Sequence, residues 1–129
     1  MNFAGETVDA APAEQLALIE LDREGARREW RMAEVAERSA RLAGALQERG
    51  IRRGDVVMTL IGNRPDWVLT MVACFRIGAV VLPCTEQLRA KDLRLRIAVA
   101  KPSLIVADER NRVELESAGV GNAQVVFVP

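Results

Sequence analysis

The sequence predicts an α/β fold: a mainly parallel sheet flanked by helices and preceded by an N-terminal β-hairpin. Three observations lead there. Apolar runs of strand length alternate with stretches of helical periodicity from Met32 onward. The run at 56–61 is apolar on both faces, as a parallel strand covered from each side must be. Residues 15–22 and 26–30 are apolar enough for strands and are separated by Arg23-Glu24-Gly25, the punctuation of a hairpin.

In order, residues 1–14 read as a loose leader and the hairpin follows. Between 32 and 49, Val35, Ala36, Leu42, Ala43 and Leu46 recur at helical spacing, with Glu34/Arg38 and Glu37/Arg41 as i,i+4 pairs. Arg31 falls at the N-cap, where Ser, Thr, Asp or Asn is preferred, and Gly50 supplies a left-handed cap at the other end. The 56–61 strand leads to a second helix with Asn63 as N-cap, Pro65 in the first turn and Asp66 favourable to the dipole. Its body, Trp67, Val68, Leu69, Met71, Val72, Cys74, Phe75 and Ile77, is apolar nearly all round and so needs cover on most sides. A short strand at 79–82, a helix over 90–100, a strand at 103–107, a weakly patterned helix within 108–122 and a strand at 124–128 complete the series. Strands alternating with helices imply right-handed crossovers and a parallel sheet.

Half of the 129 residues are hydrophobic, 28% are charged, and 18 Lys and Arg balance 18 Asp and Glu, so a soluble globular domain without a nucleic-acid partner is expected. The longest apolar region, 67–84, is broken by Arg76 and Gly78, so no membrane span is expected. Residues 1–14 lack Lys, Arg and a signal-length apolar run, which makes the cytoplasm the expected location. Cys74 and Cys84 sit in apolar surroundings and are expected as free thiols; a structural zinc site lacks ligands. Without His or Tyr, chemistry would fall to carboxylates, Lys or Cys, and no catalytic residue or metal ligand is assigned.

Gly50 and Gly54 follow a helix and precede a strand, the reverse of a phosphate loop, so they read as cap and turn. Gly119 and Gly121 read as loop. Cys84 has no histidine to activate it. Trp67, Met71 and Phe75 repeat at i, i+4, i+8, which core packing explains. Pro83-Cys84-Thr85-Glu86-Gln87 lies just past a parallel strand's carboxyl end, where open α/β sheets bind ligands. Arg96, among Leu93, Leu95 and Ile97, suits either pairing with a carboxylate, which the residues alone favour, or facing a phosphate.

Trp30-Arg31-Met32-Ala33-Glu34-Val35, Leu42-Ala43, Gly54-Asp55-Val56-Val57, Asn63-Arg64-Pro65-Asp66-Trp67 and Arg76-Ile77-Gly78-Ala79-Val80-Val81-Leu82-Pro83 together resemble the first blocks of adenylate-forming (AMP-binding) enzymes. The register continues from about Leu18 to Val128. Thr85-Glu86-Gln87, Asp92, Arg96 and Ile105-Val106-Ala107-Asp108-Glu109 look most like the acetyl- and medium-chain acyl-coenzyme A synthetases. The resemblance implies that residues 15–129 are the N-terminal portion of a larger adenylation domain, an incomplete scaffold segment. The complete ligase would join a carboxylic acid, as in fatty acid metabolism, to coenzyme A through an acyl-adenylate, using ATP and magnesium. The family's ATP loop, adenine and ribose motifs, acidic metal ligand and catalytic lysine are not found in this chain, so it is expected to be inactive alone and not to bind these cofactors tightly. By resemblance, Arg96 matches an Arg that relatives place near the coenzyme's nucleotide phosphates, and Gln87 lies in the neighbouring loop; both are candidate coenzyme contacts. Arg31 and Arg89 depart from the Thr or Ser caps common in relatives.

Three alternatives stand beside this: an amino-acid-activating adenylation domain, which would transfer to a carrier protein; a non-catalytic α/β interaction module; and a small-ligand-binding protein. The surplus apolar faces and the strand edge at 125–128 predict self-association of the chain by itself, through exchanged elements. Light scattering should find oligomers whose population rises with concentration; a compact monomer throughout contradicts the expectation.

Overall fold

In the computed structural model, which describes residues 1–129, the N-terminal hairpin forms from β1 (Leu16–Leu21) and β2 (Arg27–Arg31). Its turn is held locally: the Asp22 carboxylate accepts the N–H groups of Glu24 at 2.9 Å and Ala26 at 2.8 Å, while Gly25 takes φ +86°. Trp30 is buried, with its indole N–H donating to Glu20 at 3.1 Å and the Arg28 and Arg38 guanidiniums 4.0 and 5.0 Å from its ring centroid.

α1 (Met32–Glu48) starts from Arg31, and Glu34 reaches back to accept the Arg31 N–H at 3.4 Å, half of a capping box. The expected Glu37–Arg41 pair forms at 2.6 Å. The Glu34–Arg38 pair does not: Arg38 lies over Trp30, and Glu34 turns to Arg28 at 3.6 Å. β3 (Val56–Leu60), α2 (Pro65–Ile77), β4 (Val80–Cys84), α3 (Ala90–Ala100), β5 (Leu104–Asp108), α4 (Arg112–Ala118) and β6 (Gln124–Val128) then alternate.

Two boundaries differ from expectation for reasons local to proline. The α2 N-cap is Arg64, not Asn63: the residue before a proline is pushed to extended backbone, here φ −146° and ψ 161°, so the helix begins at Pro65 itself. β4 runs on through Pro83 to Cys84, which places those two residues in the strand rather than beyond it. The missing N–H is tolerated because β4 is an edge strand.

The four later strands are all parallel, in the order β4-β3-β5-β6. Val57, Leu104 and Val106 pack with Ala43 and Leu46 of α1 and Ala73 and Cys74 of α2 on one face. Met58, Leu60, Ile105 and Ala107 pack with Leu93 and Ile97 of α3 and Leu115 and Ala118 of α4 on the other. Each fully buried Leu or Met contributes roughly 1.5–3 kcal/mol. The layers are therefore helix, sheet, helix.

Residues 1–14, expected as a loose leader, instead carry a π-helical turn at Ala4–Val8. Ala4 and Val8 are buried against Trp30, Val35 and Val72, which supplies cover for α2 on its remaining side. Arg76 near the end of α2 fixes the turn, donating to both carboxylate oxygens of Asp9 at 2.7 and 2.5 Å and to the Ser39 hydroxyl at 3.0 Å. Asn2 adds a bond to the Phe75 carbonyl at 3.1 Å.

The Arg76 hydrogen bond holds the Asp9 carboxyl below the usual carboxylate range, against a smaller opposing effect of burial. A depressed folded-state pKa gives stability that is present above the unfolded value, about 3.9, and lost as pH falls through the folded one. Asp9→Ala should therefore lower stability by about 1 kcal/mol at pH 7, an exposed-pair magnitude. Urea melts should show that difference shrinking at acid pH; a pH-independent difference would rule out the ion pair as its source.

Candidate functional site

β3 and β4 are consecutive neighbours, whereas β5 returns to the far side of β3, so the strand order reverses between β3 and β5. Ligands of open α/β sheets bind outside the carboxyl ends of the strands at such a point. Here the crevice is closed by the chain's own charges. Asp108, 7% exposed, lies 3.5 Å from the Arg64 guanidinium and 3.3 Å from that of Arg110, and Arg110 reaches Glu86 at 3.7 Å. Arg64 also donates to Asp66 at 2.7 Å. Gly62 makes room for this network: a Cβ there would stand 2.6 Å from an Arg110 nitrogen and 3.2 Å from a Glu86 oxygen. With both guanidiniums matched by carboxylates, the crevice is a fastener between loops rather than an anion receptor.

Beside it, the loop after β4 carries Gln87 and leads into α3, which carries Arg96. Gln87 is exposed and its N–H donates to Thr85 Oγ1 at 3.3 Å. The carboxylate pair that the residues alone favour for Arg96 does not form: the exposed guanidinium donates only to the Asp92 backbone carbonyl, at 3.3 Å. The acidic groups of the neighbouring loop and helix are engaged elsewhere, Glu86 with Arg110 and Glu114 with Arg89 at 3.4 Å. Arg96 also acts on Cys84. Burial pushes that thiol up and the Arg96 charge pulls it partly back. An exposed Arg without a counter-ion, on the helix that leaves the carboxyl edge, fits a phosphate, and a neutral half-buried thiol is no ready nucleophile.

Two residues that sequence reasoning did not single out hold this region. Glu114 of α4 accepts the Ala90 N–H at 2.8 Å, a first-turn donor of α3 that Arg89 cannot satisfy. Asn111, 5% exposed, donates to the Glu86 carbonyl at 2.7 Å, and its buried Oδ1 meets no donor. The poor cap at Arg89 was the one available signal for Glu114. For Asn111 there was none. Elsewhere, a depression of about 630 Å³ lined by Ile97, Lys101 and Gln124 lies at the opposite edge of the sheet, and an apolar wedge of about 290 Å³ opens between Leu42, Leu69 and Val126. The first is lined by the polar side chains of Lys101, Ser103, Asn122 and Gln124 without a carboxylate, and the second is mainly apolar.

Comparison with known proteins identifies the architecture that carries this edge. Residues 6–127 match the family profile of the AMP-binding enzyme. The chain belongs to the AMP-binding enzyme family. Within that family it is 36% identical over 90 residues to the mitochondrial acyl-coenzyme A synthetase ACSM3 of Rattus norvegicus, a match spanning 69% of this chain and 16% of that protein. To the mitochondrial ACSM4 of Homo sapiens it is 32% identical over 126 residues, spanning 90% of this chain and 22% of that one. The chain thus accounts for about a fifth of the curated relatives' length. The Brucella canis acyl-CoA synthetase superposes on all of it with TM-score 0.88 at 27% identity, over 24% of the solved chain. A benzoate CoA ligase from Burkholderia xenovorans LB400 shares the fold, with TM-score 0.87 at 17% identity over 26% of its own chain. The AMP-binding resemblance drawn from the N-terminal blocks is therefore supported, and the helix-flanked parallel sheet with its leading hairpin is the architecture these structures share.

The Arg96–Cys84 relation is measurable in this family member. Cys74 is buried, with its thiol pushed up to about 11, so it should react with a disulfide reagent only on unfolding, leaving half-buried Cys84 to react first. Arg96→Ala should raise the Cys84 pKa and slow its reaction at a fixed pH near 8. An unchanged rate would place Arg96 away from the thiol.

Proposed function

We propose that this AMP-binding family chain is a scaffold part of an acyl-coenzyme A synthetase, completing the core of the adenylation domain and one wall of its coenzyme A channel. The whole ligase, which we place in the cytoplasm, activates a carboxylic acid with ATP and magnesium and passes the acyl group from acyl-adenylate to the coenzyme's thiol. A carboxylate is a poor electrophile, and adenylation supplies the leaving group. The observation that carries the assignment is the exposed Arg96 guanidinium, without a carboxylate partner, on α3, the helix that follows the exposed loop of Gln87 at the carboxyl end of β4. A guanidinium there suits the phosphates of a nucleotide-bearing coenzyme, with Gln87 as a neutral hydrogen-bonding neighbour. By the resemblance, the residues that hold magnesium and the triphosphate belong to family motifs not found in this chain.

The amino-acid-activating alternative is separated by the acceptor, a carrier-protein thiol rather than coenzyme A. The test uses the longer protein that carries this segment. Carboxylate-dependent ATP–pyrophosphate exchange should be present there and absent from the 129-residue chain. In the longer protein, Arg96→Ala should raise KM for coenzyme A about tenfold, the worth of one charge-assisted hydrogen bond. Exchange by the short chain alone would show that the catalytic machinery has been misplaced, and an unaltered coenzyme dependence would remove Arg96 from the site.

A further inference from the structure

The loop that presents Gln87 and the first turn of α3, which leads to Arg96, are held in place by side chains from the next crossover. Asn111 lies between β5 and α4, and its Nδ2 donates to the Glu86 carbonyl, one residue before Gln87, at 2.7 Å. Glu114 takes the Ala90 N–H at 2.8 Å, and its other oxygen meets Arg89 at 3.4 Å. Arg110 grips the Glu86 carboxylate while anchored on Asp108. Residues 86, 89 and 90 are thus tied to residues 110, 111 and 114, whereas the bonds made within the loop are only those of Thr85, to Gln87 and Leu88 at 3.3 and 3.2 Å.

One detail argues that the Asn111 contact is built for position rather than for stability. Asn111 is 5% exposed and keeps one oxygen buried without a donor in order to place a single N–H on the Glu86 carbonyl. A buried unsatisfied acceptor carries a desolvation cost that a purely structural residue of similar size, such as Leu, would avoid. The Arg89 N-cap points the same way. A cap supplied from α4 rather than from the loop makes the start of α3 depend on where α4 sits.

We propose that Asn111 and Glu114 are positioning residues for coenzyme A: they set the height of the Gln87 loop and the seat of α3, and so the reach of Arg96 toward the coenzyme's phosphates. This rests on the coenzyme assignment made above for Gln87 and Arg96. Neither Asn111 nor Glu114 touches the ligand.

The experiment is a titration of the longer protein that carries this segment with coenzyme A, followed by amide and Arg side-chain NMR signals, with amide hydrogen exchange of each variant alongside. Wild type should show shifts at Gln87 and Arg96. Asn111→Asp, close in shape but unable to donate to the Glu86 carbonyl, should weaken the apparent affinity about fivefold, as for one hydrogen bond, and raise exchange in residues 85–92 selectively. Glu114→Ala, at a more exposed position, should do the same from the α3 side and keeps the test decisive should the Asn111 variant not fold. Wild-type shifts at Gln87 and Arg96 that persist unweakened in the folded variants overturn the positioning role alone. Absence of wild-type shifts at those residues overturns the coenzyme assignment and this inference with it. Exchange raised evenly throughout the chain assigns Asn111 and Glu114 to general stability and also overturns the proposal.

Discussion

With Val57, Met58, Leu60, Leu104, Ile105 and Ala107 withdrawn from solvent on alternate sides, β3 and β5 demand a helical layer on each face. Most of the topology is set by this demand. It forces the β3–β4 connection through α2 on one face and the β4–β5 and β5–β6 connections through α3 and α4 on the other. Once helices leave on opposite faces from adjacent strands, the chain reverses order between β3 and β5, and the loops at their carboxyl ends converge. The polar edge is thus a by-product of burying the middle of the sheet.

What was legible in the sequence was what periodicity and punctuation encode. α3 and β6 fall on the residues expected, because Lys101-Pro102 and Gly121-Asn122 mark the breaks around them. The hairpin turn was readable in Arg23-Glu24-Gly25. Proline effects shifted the α2 cap and the β4 end by one or two residues, since each depends on the neighbour or edge position rather than on the pattern. The N-terminal turn was illegible for a different reason. Five residues carry no period, and their order comes from an Asp9–Arg76 pair spanning 67 positions.

The same distinction separates the site residues. Arg96 and Gln87 were visible through resemblance, yet the residues around Arg96 suggested a carboxylate partner. In the structure the guanidinium donates only to the Asp92 backbone carbonyl, while Glu86 and Glu114 pair with Arg110 and Arg89. Asn111 could not be read at all, and Glu114 was signalled only by the poor cap at Arg89: their contacts join residues about two dozen positions apart across the crossover, and Asn111 looks like an ordinary loop residue.

A division of labour between the two halves of the sheet arises from the chemistry. The central strands are held by apolar burial, which is strong but indifferent to small displacements of a loop beyond the strand ends. The carboxyl edge is held by the hydrogen bonds of Asn111 and Glu114, which are directional, together with ion pairs of Asp108 with Arg64 and Arg110 and of Glu86 with Arg110. Directional bonds fix geometry where burial alone does not. Their concentration around the loop that leads into α3, the helix that carries the exposed Arg96, is what a phosphate-reading wall requires, because a charge-assisted contact gains specificity only when its donor is held in place before the ligand arrives.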